Sequence, residues 1–263
     1  MKTHLKVNKH HIMKGNPMSN TKNDFFNPEE ETILNASLEH SLLAILIDES
    51  SSMSIIQETA DVAIKVFLEA LHSFTDVSGV LDLAIGKYNH TYTLVQPFRA
   101  VCNSMTTYSI TPGGGTNADI AIPAMLNEVQ SYKHDVLRSN KVAYRRAFVF
   151  HITDGRSAGD LTEASVMVKN LEERKSIIFY TIAVPGASLE QIKLYTRPEN
   201  IIDLTNEASK LDEVLPKVLA AAAVLSASSA GANSGSDMIA KTVDNDAATK
   251  AASILGEFGL VEK

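Results

Sequence analysis

Residues 42–47 are six apolar residues in a row, Leu42, Leu43, Ala44, Ile45, Leu46 and Ile47, and they lead directly into Asp48. The run is far short of the roughly 20 residues that a membrane helix needs. It also lacks the polar alternation of a strand with one wet face, so it predicts a strand covered on both sides, as in parallel sheets. Such a strand needs helices on both faces, which points to an α/β fold.

The chain beyond it keeps that rhythm. Over residues 53–74, Ile56, Ala60, Ala63, Ile64, Phe67 and Leu71 recur at helical spacing. Residues 80–88 and 91–95 read as strands separated only by Asn89 and His90, a gap that suits a hairpin and no helical crossover, so one antiparallel edge strand is expected. Residues 99–111 read as irregular and 112–115, Pro-Gly-Gly-Gly, as a loop. A helix is predicted over 117–137, bent or restarted at Pro123. There follow a strand (147–153), a helix (161–174), a strand (176–184), a short helix (189–196), a strand (200–204) and a helix from 207 to about 225. The alternation predicts a Rossmann-like open sheet, mostly parallel, with helices on both faces.

The domain so defined spans 39–225. Before it, residues 1–38 read as a flexible polar leader with a short helix after Pro28. After it come a Ser/Gly/Ala-rich linker (226–245) and a short amphipathic segment (246–263), in which Ala248, Ala251, Leu255 and Phe258 fall at helical spacing. A chain of 263 residues with 44% hydrophobic content can bury a sizeable core, and its formal charge of −7 argues against a nucleic-acid footprint. No apolar stretch follows the Lys and His residues of 1–15, unlike an ordinary secretory signal. The single cysteine, Cys102, agrees with a reducing compartment. A cytoplasmic protein without membrane or nucleic-acid contacts is therefore expected, and its oligomeric state is left open.

Ligands of open parallel sheets sit outside the carboxyl ends of the strands. The first strand ends in Asp48-Glu49-Ser50-Ser51-Ser52, the glycine loop in Thr116, and the 147–153 strand in Asp154-Gly155. Three loops thus offer carboxylate and hydroxyl oxygens, which suit a hard cation such as Mg²⁺. With serine and threonine as neutral ligands the ion keeps positive charge, and a further carboxylate can come from a partner protein. Competing motifs are weak. Residues 113–118 match G-x-G-x-x-A, but polar residues 106–112 precede them where a nucleotide fingerprint needs a strand. No lysine follows these glycines as a Walker A motif requires. His151, the one histidine near a candidate rim residue, reads as a packed strand residue rather than a base, and His4, His10 and His11 as solvated.

The pattern Asp-x-Ser-x-Ser followed by a distant Thr and a distant Asp resembles the metal-ion-dependent adhesion site of von Willebrand factor A domains. Asp48, Ser50, Ser52, Thr116 and Asp154 fill it, and the resemblance covers about residues 41–225. Residues 113–116, residues 152–155 and the Ser/Ala-rich stretch after the last helix are similar to the intracellular bacterial TerY type of tellurium-resistance and stress-response systems. The resemblance implies the von Willebrand A fold and a metal held by these five residues, Mg²⁺ with Mn²⁺ or Ca²⁺ as alternatives. It also implies a non-catalytic module that binds the Asp or Glu of a partner protein. The competing reading is a nucleotide-dependent or hydrolytic enzyme on a Rossmann-like sheet. Ser51 stands where the family usually has glycine, and Glu49 where a small or neutral residue is common; Glu49 either adds charge near the metal or faces solvent.

Overall fold

The computed structural model describes residues 36–73, 79–206 and Lys217. Six strands form one sheet in the order β3-β2-β1-β4-β5-β6. They are β1 (Ser41–Asp48), β2 (Leu81–Tyr88), β3 (Tyr92–Ala100), β4 (Ala147–Thr153), β5 (Ile177–Ala183) and β6 (Ile201–Asp203). All pairings are parallel except β2 with β3, the expected hairpin at the sheet edge. β3 continues to Ala100, past the predicted end at 95. Pro97 is tolerated within it because an edge strand leaves one side of its backbone without a ladder.

β1 is buried at every position, and its side chains serve two cores by alternation. Leu43, Ile45 and Ile47 join Ala63, Ile64, Phe67, Leu68 and Leu71 of α1 (Gln57–Ser73) on one face. Leu42, Ala44 and Leu46 join the other face, with Ile122 and Met125 of α2 (Ala118–Ser131), Val168 of α3 (Thr162–Glu173) and Ile192 of α4 (Leu189–Tyr195). Each fully buried Leu or Ile contributes roughly 1.5–3 kcal/mol, so this two-sided burial fixes β1 firmly at the centre of the sheet. The fold class is the expected one: an open, mostly parallel α/β sheet with one antiparallel edge strand and helices on both faces.

Two local departures have physical causes. The predicted 53–74 helix begins as a 3-10 turn, Ser51–Ile56, before α1. The predicted 117–137 helix runs through Pro123 as α2 and then widens into a π-helical stretch, Tyr132–Arg138. The wider turn lets the adjacent Tyr132 and Lys133 both be buried. There Tyr132 donates to Asp82 and Lys133 to the Ser176 carbonyl. The leader, the 207–225 helix, the linker and the C-terminal segment lie outside the described residues. Among the described residues no helix is long and apolar enough to cross a membrane.

Candidate metal centre

β1 is the strand at which the order of the sheet reverses: the chain first steps to β2 on one side and later to β4 on the other. Crevices outside the carboxyl ends at such a switch point are the usual ligand sites of open α/β sheets. Asp48 ends β1 there, and Asp154 follows the end of β4. Asp48, Ser50, Thr116 and Asp154 are buried, and Ser52 is half-buried.

The loop after β1 is wound around its own carboxylate. The Ser50 amide donates to Asp48 Oδ1 at 2.8 Å, and the Ser50 and Ser52 hydroxyls touch at 3.0 Å. Across the β1–β4 register Thr153 donates its hydroxyl to Asp48 Oδ2 at 2.6 Å, and the Gly155 amide donates to that same hydroxyl oxygen. Behind Thr153 lies a buried relay. Tyr88 donates to Thr153 at 3.3 Å, His151 Nε2 lies 2.8 Å from the Tyr88 hydroxyl, and the Tyr195 hydroxyl lies 3.3 Å from His151 Nδ1. Because Tyr88 spends its proton on Thr153, the network is satisfied with His151 donating from Nε2 and Tyr195 donating to Nδ1. His151 is thus the packed residue read from the sequence, and burial pushes its pKa down to about 3.

Thr116 is brought in by interlocking loops. Ser51 donates its amide and hydroxyl to the Gly114 carbonyl, and the Thr116 carbonyl accepts from the Ala158 amide just beyond Asp154-Gly155. Asn117 donates its amide to the Asn89 carbonyl and its side chain to the His90 carbonyl, tying this loop to the β2–β3 turn. Gly114 holds φ +80°, the left-handed region that favours glycine, and a Cβ there would lie 2.7 Å from the exposed His90 ring, which would have to turn aside. Among the described residues the Thr116 hydroxyl has no hydrogen-bond partner.

Glu49 corrects one alternative read from the sequence, that it faces solvent. It is 2% exposed, and its carboxylate pairs with Lys87 at 3.0 Å. It also accepts from the Tyr108 hydroxyl and, at 3.1 Å, from the Thr111 amide. Asp48 is likewise wholly buried. Sequence reading missed Tyr88, Thr153, Tyr195 and Tyr108. The available signal, for Tyr88 and Thr153, was polar groups inside otherwise apolar strands, which must find partners when buried; Tyr195 on α4 and Tyr108 in the irregular segment offered none.

The residues fit a hard divalent cation. Burial raises the pKa of Asp48, the bonds from Thr153 and Ser50 oppose that, and the nearby Asp154 carboxylate raises it further. Among the described residues neither carboxylate has a basic partner, and two buried like charges need a compensating one. The donors are carboxylates and hydroxyls, the oxygen ligands that hard divalent ions take; among the described residues no group of three His, Cys, Asp or Glu side chains gathers to hold a metal, so the set rests on two carboxylates and neutral hydroxyls. The nucleotide fingerprint lacks its context, since residues 104–117 contain no strand leading into the glycines.

No protein-family model and no curated protein matches the chain. Solved structures do match. The SpaC pilus adhesin of Lactobacillus rhamnosus GG aligns at TM-score 0.53 and 10% identity, over 73% of this chain and 32% of that one. A von Willebrand factor type A protein from Catenulispora acidiphila aligns at TM-score 0.49 and 14% identity, over 70% and 43%. Proximal thread matrix protein 1 of the mussel byssus, with a zinc-occupied MIDAS motif, aligns at TM-score 0.49 and 16% identity, over 70% and 46%. At 10% identity the likeness to the adhesin is one of fold. The chain spans about a third of the adhesin and less than half of the other two.

Proposed function

We propose that the rim at the ends of β1 and β4 binds a divalent cation, Mg²⁺ in the cell, through Asp48, Ser50, Ser52, Thr116 and Asp154. On this reading the chain is a non-catalytic interaction module of the von Willebrand A type. The single observation that carries it is the pair of buried, mutually repelling carboxylates beside two touching hydroxyls with no basic partner. When bound, the ion supplies positive charge that three neutral hydroxyls do not cancel, and so it attracts a carboxylate from outside. That carboxylate belongs to an Asp or Glu of a cytoplasmic partner protein, in a stress-response system of the TerY kind that the sequence resembles. Two exposed apolar residues fit the surrounding footprint: Ile55, 84% exposed and three residues past Ser52, and Ile120, 52% exposed and four past Thr116. The test is capture of partners from the native host with the purified chain in Mg²⁺ and in EDTA. A partner retained only with the metal, and lost to Asp154→Asn, supports the reading; partners indifferent to both refute it.

A further inference from the structure

The segment that carries Thr116 has little regular structure of its own, since residues 104–117 contain neither helix nor strand. It is held instead by polar ties to the first strand and helix. Ile110 donates its amide to Asp61 and accepts from the Gln57 side chain. Tyr108 and Thr111 donate to the Glu49 carboxylate, Gly113 donates its amide to the Glu49 carbonyl, and Gly114 accepts from Ser51. One residue therefore makes three of the ties, and it stands between Asp48 and Ser50. Lys87 closes the other side of its carboxylate, so Glu49 is fixed from two directions. Burial and the Glu49 carboxylate push the Tyr108 hydroxyl well above its usual range, which keeps it a donor.

We infer that Glu49 is a positioning residue: it straps the 108–114 segment to the end of β1 and thereby sets the Thr116 hydroxyl at the metal site. This rests on the metal-binding reading above. Glu49 acts by geometry, as an acceptor, and not by lending its charge to the ion. Groups that orient metal ligands typically change metal affinity by about 10–100-fold when removed.

The test combines calorimetric Mg²⁺ titration with residue-resolved amide exchange in EDTA. Glu49→Ala should speed exchange at Thr111 and Gly113 without metal, and lower Mg²⁺ affinity about tenfold. Glu49→Gln keeps an acceptor oxygen and should stay within about twofold of the wild type, and Tyr108→Phe, a mild change that preserves folding, should lose about fivefold. In a Thr116→Ala background Glu49→Ala should cost nothing further, because it acts through that hydroxyl. Equal losses for Glu49→Gln and Glu49→Ala would show a charge effect and overturn the inference, as would full additivity with Thr116→Ala. A wild type that binds Mg²⁺ while Glu49→Ala matches it overturns the inference alone. A wild type that binds no divalent cation removes the proposed function as well.

Discussion

His151 shows how a single side chain links core and rim. It is fully buried on β4, and desolvation holds its pKa near 3 against 6.5 in an unfolded chain. Between those values the unfolded state takes up a proton that the folded state refuses. His151 therefore contributes stability that is present above pH 6.5 and lost progressively as pH falls toward 3, with a slope approaching roughly 1 kcal/mol per pH unit. Urea unfolding from pH 7 to 4 should show this decline, and His151→Gln should flatten it. Thr153 tests the other end of the same relay: Thr153→Val removes the donor to Asp48 Oδ2 and the acceptor for the Gly155 amide. It should weaken Mg²⁺ binding by about tenfold in a calorimetric titration, whereas equal affinity would mean that Asp48 needs no orienting partner. Asp48, Ser50, Ser52 and Asp154 were legible as sequence because they end or follow an apolar run, and Thr116 because it follows the glycine loop. Their supports were not, since Tyr88 and Tyr195 are 107 residues apart and converge only through the sheet.

At the scale of elements, strands and helices were readable because their apolar periodicity is local. β4 was expected at 147–153 and occurs there, and the β2–β3 hairpin followed from a two-residue gap. The π-helical turn was not readable, since it answers to Asp82 on β2 and to Ser176 just before β5. The same is true of the 104–116 strap, whose order comes from Glu49, Gln57 and Asp61 rather than from its own pattern. Gly155 is where β4, the rim and α4 meet. It has φ +68°, and a Cβ there would stand 2.7 Å from Ile192 and 3.0 Å from the Ser188 carbonyl. Gly155→Ala should destabilise the fold by about 1–3 kcal/mol, read as a lowered denaturation midpoint. An unchanged midpoint would mean that α4 yields freely.

For the molecule as a whole, the two cores on either side of β1 make the sheet a rigid base, and the chemistry sits on loops at one end of it. Metal binding and partner binding then separate by substitution. Thr116→Ala leaves both carboxylates and should weaken partner binding more than Mg²⁺ binding. Ile55→Ser, a change on the exposed rim, should weaken the partner and leave the metal untouched. Both affinities, measured on each variant against the captured partner, check this; a partner indifferent to Ile55→Ser would move the footprint elsewhere.

The central claim is that Asp48 and Asp154 share a cation at the end of β1 and β4. Calorimetric titration of Mg²⁺ into the wild type and into Asp154→Asn, which keeps the side chain's shape, tests it most directly. One saturable site in the wild type, lost in the variant while both remain folded, is the result predicted here. Absence of saturable heat from the wild type, or equal affinity in Asp154→Asn, would contradict it.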